Sequence, residues 1–175
     1  MTAKNKVLIG LVIAALISRI APHYPNFTAM GALAFMGANQ NKSLFKIIAL
    51  TFGVLMVSDL FINNFIYPSG SFTLMYKGSL FTYAGFILYA VAGRYAKTGA
   101  KSIVALVAGS IGFFLLSNLG VFLSEFSLFP KTASGLAATY AAAIPFYAPE
   151  LISTALFSAL AYAAEIKLVA TAKAS

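Results

Sequence analysis

The side chains able to do chemistry in this sequence are few, and they cluster where long apolar runs are broken. Arg19, Tyr24 and Asn26 surround Pro22 and Pro25. Asp59 lies near the end of one apolar run, Asn118 inside another and Glu125 just beyond it; Tyr140 follows in the segment after Pro130. A guanidinium, carboxylates, amides and phenols of this kind recognise a polar ligand through charge and hydrogen bonds. They do not compose a reaction centre. Cysteine is absent and His23 is the single histidine, so thiol nucleophiles, zinc–thiolate and iron–sulfur sites, and two-histidine metal ligation within one copy are excluded. No HExxH helix and no serine–histidine pairing is present. The expectation is a protein that is not an enzyme, with no catalytic residue, no metal and no cofactor.

Each of these residues also has a structural use. Asp59 can pair with Arg19 or Lys131, and Glu125 with Lys131. Asn118 can hydrogen-bond a neighbouring helix as packing glue. Asn26 can cap a helix that begins at Phe27. His23, between two prolines, reads as a loop residue. Glu150, directly after Pro149, reads as a carboxylate at a helix start, where it complements the macrodipole.

The elements that must position these groups follow from composition. Of 175 residues, 61% are hydrophobic and 9% charged, against about 25% charged in an average soluble domain. Such a chain is predicted to be an all-α, polytopic membrane protein forming one domain over 1–175, with the lipid bilayer as its first partner. The spans are expected at about 7–21, 26–42, 44–64, 78–96, 102–124 and 150–169. Residues 1–21 resemble a signal peptide in their basic start and apolar run, but no A-x-A-like site follows, and the segment reads as the first span. Ala133–Ile144 is apolar, short and closed by Pro145 and Pro149, so the stretch near 132–145 is expected to be a re-entrant or interfacial helix. Thr28–Ala34 and Thr132–Ala138 share a T-A-x-G-x-x-A pattern, four matches in seven in a chain rich in alanine and glycine.

Charge orients the spans. The chain carries a net +8, which in a soluble protein would suggest nucleic acid; here it is read as positive charge gathered on cytoplasmic loops, with no nucleic-acid partner. With six crossings, Lys4, Lys6, Lys42, Lys46, Arg94, Lys97, Lys101, Lys167 and Lys173 fall on one side and Arg19, Lys77 and Lys131 on the other. A seventh crossing at 132–145 would reduce this nine-to-three bias to seven against five. Both termini are therefore expected in the cytoplasm and the candidate site on the outer side. The run G-R-Y-A-K-T-G-A-K-S at 93–102 has the wrong spacing and no preceding strand for a phosphate-binding loop. Gly10, Ala14 and Ser18 line one face of the first span at i, i+4 and i+8, a small-residue stripe on which a partner helix can dock.

The stretches SRIAPHYPNFTAMGALAFMGA (18–38), SDLF (58–61), GSIGFFLLSNLGVFLS (109–124) and FPKTASGLAATYAAAIPFYAPELISTALFSALAY (129–162) resemble a family of small uncharacterised bacterial membrane proteins. More distantly, the layout is similar to the substrate-binding S components of energy-coupling factor (ECF) vitamin transporters. That resemblance implies six helices, a bacterial cytoplasmic (inner) membrane, and an outward pocket roofed by residues 19–26, 65–77 and 125–148. It also implies a vitamin-sized ligand, and an energising membrane partner that meets small residues on the first helix. The absence of cysteine departs from cobalamin-type members that ligate cobalt through one. The function expected is solute capture for a multicomponent transporter. The alternative is a structural or accessory subunit of a larger membrane complex with no ligand.

Overall fold

The computed structural model describes residues 1–40, 43–96, 99–125 and 127–174. Lys42 and Lys97, which count in the charge bias, lie outside the described residues, as does the end of the expected 26–42 span. Among the described residues the fold is all-helical: α1 (Ala3–Ile20), α2 (Met30–Gln40), α3 (Leu44–Phe61), a π-helical turn (Ile62–Ile66), α4 (Ser79–Tyr95), α5 (Ala100–Leu123) and α6 (Ala133–Ala174). Three segments are long and apolar enough to cross a membrane: Leu44–Ile66, Ala100–Leu123 and Ala133–Lys173. The burial pattern agrees with a membrane protein. Large apolar side chains such as Ile13, Ile17, Val57, Leu80, Ile103 and Ile152 point outward, while Thr51, Ser58, Ser110, Ser153 and Thr154 are buried. A bundle in water would need the opposite arrangement.

The centre of the bundle is α2. Every residue of it except Asn39 is buried, and it packs chiefly on α4 and also on α1, α3 and α6. Small residues make this possible. A Cβ on Gly93 of α4 would lie 2.0 Å from the Phe35 carbonyl oxygen of α2, and one on Gly31 of α2 would lie 2.0 Å from Thr154 Oγ1 of α6. Asn39 donates to the Ala96 carbonyl at 2.5 Å and closes the C-terminal end of α4.

Two expectations are corrected. Residues 132–145 are not a separate re-entrant or interfacial helix; residues 133–145 form the first part of α6, a continuous helix of 42 residues containing Pro145 and Pro149. Each proline removes one i→i−4 bond. Spaced by four, both defects fall on the same face, so the ladder survives on the others. In an apolar medium, ending the helix would strand more backbone groups than the prolines do. At 1.5 Å per residue α6 is about 63 Å long, roughly twice a ~30 Å hydrocarbon core. Asn26, likewise, is no helix cap. The Phe27 N–H donates to the Tyr24 carbonyl at 2.9 Å, and Asn26 has φ +63°. Pro25 and Asn26 thus occupy the central positions of a type II turn, where the third residue needs positive φ. The helix starts only at Met30, and the Ala29 N–H is held by Ser18 Oγ at 3.0 Å.

Candidate functional site

A cavity of about 710 Å³ opens where α1 and α3 finish and α2 and α4 begin, between α5 and residues 143–150 of α6. Its rim is the 21–28 link, with Pro22, His23 and Asn26, together with Ile66, Tyr67 and Tyr76 from the α3–α4 connection. Its wall is aromatic: Phe86 from α4, Phe113 and Phe114 from α5, and Phe146 and Tyr147 from α6. The rings brace one another, with centroids 4.6 Å apart for Phe86–Phe113 and 5.1 Å for Phe114–Tyr147. The π-helical turn brings Asn64 back onto the loop: its side chain donates to Leu60 and Thr73 carbonyls and accepts from the Thr73 N–H, each at 2.8 Å.

Two buried carboxylates lie on or behind this cavity and are treated differently. Asp59 is 2% exposed. The Arg19 guanidinium forms an ion pair with its Oδ1, and the Tyr83 hydroxyl donates to Oδ2 at 2.8 Å. Arg19 also donates from Nε to Ser58 Oγ at 2.7 Å. This cluster ties α1 to α3 and α4. Arg19 lines the cavity and Asp59 stands behind it. Glu150 is 6% exposed, lines the cavity, and is surrounded by hydroxyls. Tyr89 donates to Oε1 at 2.6 Å, Ser110 to Oε2 at 2.7 Å and Thr154 to Oε1 at 3.2 Å. No cation pairs with it among the described residues.

The predicted residues therefore separate. Arg19, Asn26 and Asn118 line the cavity. Asn26 donates to the Phe146 carbonyl across the rim at 3.4 Å. Asn118 donates to the Phe114 carbonyl of its own helix at 2.8 Å and makes no bond to another helix among the described residues. Tyr24 is 63% exposed and outside the cavity. Tyr140 lies outside it too; its hydroxyl donates to the Leu115 carbonyl at 2.8 Å. Glu125 is exposed and pairs with Lys77, not with Lys131. The hydrogen bond and charge of Lys77 hold its carboxyl below the usual carboxylate range. Lys131 instead donates to the Ser124 carbonyl at 2.7 Å. On the α1 stripe Gly10 meets nothing within 4 Å, Ala14 packs partly on the core, and Ser18 turns inward to Ala29.

Glu150 and the phenylalanine wall were not among the predicted site residues. Glu150 escaped because the prolines beside it suggested a helix start. Had 133–169 been read as one apolar helix, this carboxylate would have stood out as an ionisable group deep in a span. Among the described residues no three His, Cys, Asp or Glu side chains converge on a metal position. No curated protein and no solved structure matches the chain. Residues 1–174 match a family of unknown function (DUF6580), and the chain belongs to that family.

Proposed function

We propose that the protein is a solute-capture subunit of a multicomponent, ECF-like transporter in a bacterial cytoplasmic membrane. In this reading it crosses the bilayer six times with both termini in the cytoplasm. It binds a small molecule in the outward-facing cavity and hands it on by reorientation, with no chemistry on the ligand. An energising partner docks on the membrane face or the cytoplasmic end, and the Gly10 end of the α1 stripe offers the open part of that surface. The observation that carries the reading is the cavity itself. Its volume lies within the roughly 300–1,000 Å³ typical of small-molecule sites, and it combines an aromatic wall with a few polar groups, as such sites do. A purely structural subunit has no use for a space of this size between its helices, since packed interiors leave few voids larger than a water.

The reading is tested by native mass spectrometry of the gently purified full chain. A small-molecule adduct is expected, and Asn118→Leu should lose it while still folding. Asn118 leaves Oδ1 without a protein partner among the described residues, so its amide is available to a ligand. Stoichiometric protein partners with no adduct would replace capture by the accessory role. An adduct that survives Asn118→Leu removes Asn118 from the site.

A further inference from the structure

We infer that the cavity takes a cationic, amine-bearing small molecule, with the Glu150 carboxylate as its counter-charge and the surrounding rings as its cradle. This rests on the capture reading and names the class of solute. The chain has four acids. Asp59 is matched by Arg19 and Glu125 by Lys77, while Glu165 accepts from Gln40 at 2.8 Å far from the cavity. Glu150 alone is both buried and without a cation among the described residues. Three hydroxyls satisfy its hydrogen-bonding oxygens, but dipoles do not cancel its charge. A buried carboxylate with no opposite charge is costly, and a bound cation removes that cost.

The other lining groups give the same sign. Arg19 is spent on Asp59 and Ser58, so it has little to offer an anion, and no other arginine or lysine lines the cavity among the described residues. Five rings from three helices, Phe86, Phe113, Phe114, Phe146 and Tyr147, share the wall with Glu150. Aromatic faces attract an ammonium through their quadrupole, most strongly where water is excluded. A carboxylate ligand would meet repulsion from both the ring faces and Glu150.

The test uses three probes of one shape and different charge: benzylammonium, benzyl alcohol and benzoate. Binding to the full chain in nanodiscs is followed by calorimetry. Benzylammonium should bind saturably and at least about tenfold more tightly than the alcohol, with benzoate weakest. Glu150→Gln keeps the size and can still engage Tyr89, Ser110 and Thr154. It should abolish the preference for the ammonium over the alcohol. The comparison of probes on the unaltered chain stands even if that variant folds poorly. Ser117→Trp, which fills the cavity from α5, should remove all binding. If the alcohol binds as tightly as the ammonium and Ser117→Trp abolishes both, the cation inference fails while capture stands. An ammonium preference that persists in Glu150→Gln overturns the role of Glu150. Absence of saturable binding by all three probes overturns the cation inference, while capture is decided by the adduct in native mass spectrometry.

Discussion

At the scale of single residues, the two buried acids show how similar side chains acquire different roles from their partners. Asp59 is a structural fastener. Its charge is matched by Arg19, Ser58 holds the guanidinium and Tyr83 the second oxygen. Removing one partner should strand the other. Asp59→Leu alone is expected to cost about 3 kcal/mol, whereas Arg19→Met with Asp59→Leu should restore most of that loss, because an apolar pair replaces a desolvated ion pair at little cost. Thermal unfolding of the two singles and the double in the same detergent checks this, and additive losses would show that the pair is not coupled. The sequence made this pairing legible, since both residues sit at the ends of predicted spans and Arg19 was one of two cations proposed for Asp59. It did not make Glu150 legible. Two of the three hydroxyl partners of Glu150 lie 61 and 40 residues away, at Tyr89 and Ser110, and a hydroxyl on an apolar helix carries no sign of what it will meet.

At the scale of elements, the helices were legible and their ends were not. Hydropathy marks an apolar run, but where the helix begins depends on the link before it. The α2 start moved from Phe27 to Met30 because Pro25 and Asn26 form a turn and Ser18 of α1 caps the Ala29 N–H. The break at 145–149 vanished because two prolines on one helical face weaken a helix without ending it. The contact between α2 and α4 was also hidden, since it depends on glycines that look interchangeable in sequence. They are not. Gly93→Ala puts a methyl 2.0 Å from a backbone oxygen, which cannot rotate away, and should destabilise by about 1–3 kcal/mol. Gly53 is also helical and meets nothing within 4 Å. Gly53→Ala should be neutral or stabilising by about 0.5–1 kcal/mol through helix propensity. Melting curves of the two variants should move in opposite directions, or one should not move at all. Equal losses would mean that α2 and α4 do not approach this closely.

At the scale of the whole molecule, the question is how two chemically different ends lie across a bilayer. One end has the cavity, the Arg19–Asp59 pair and the Lys77–Glu125 pair that links the α3–α4 and α5–α6 loops. The other joins Asn39 to Ala96 and Gln40 to Glu165. Following the chain, Lys4, Lys6, Lys46, Arg94, Lys101, Lys167 and Lys173 belong to the second end, and Arg19, Lys77 and Lys131 to the first. In the proposed arrangement the positive-inside rule acts on this asymmetry and turns the richer end toward the cytoplasm. Because α6 is one helix, the number of crossings in the proposed arrangement is even and Lys173 returns to the side of Lys4. Two separate crossings at 132–145 and 150–169 would send it to the opposite side. The absence of cysteine makes this directly measurable, since each introduced thiol is the sole target. Lys4→Cys and Lys173→Cys should react with an impermeant maleimide only after the membrane is opened, and Ser71→Cys, exposed in the α3–α4 connection, should react in intact cells. Reaction of Lys173→Cys in intact cells would require an odd number of crossings. Protection of Ser71→Cys with reaction of Lys4→Cys would invert the molecule, so that the cavity opened to the cytoplasm and could not capture a solute from outside.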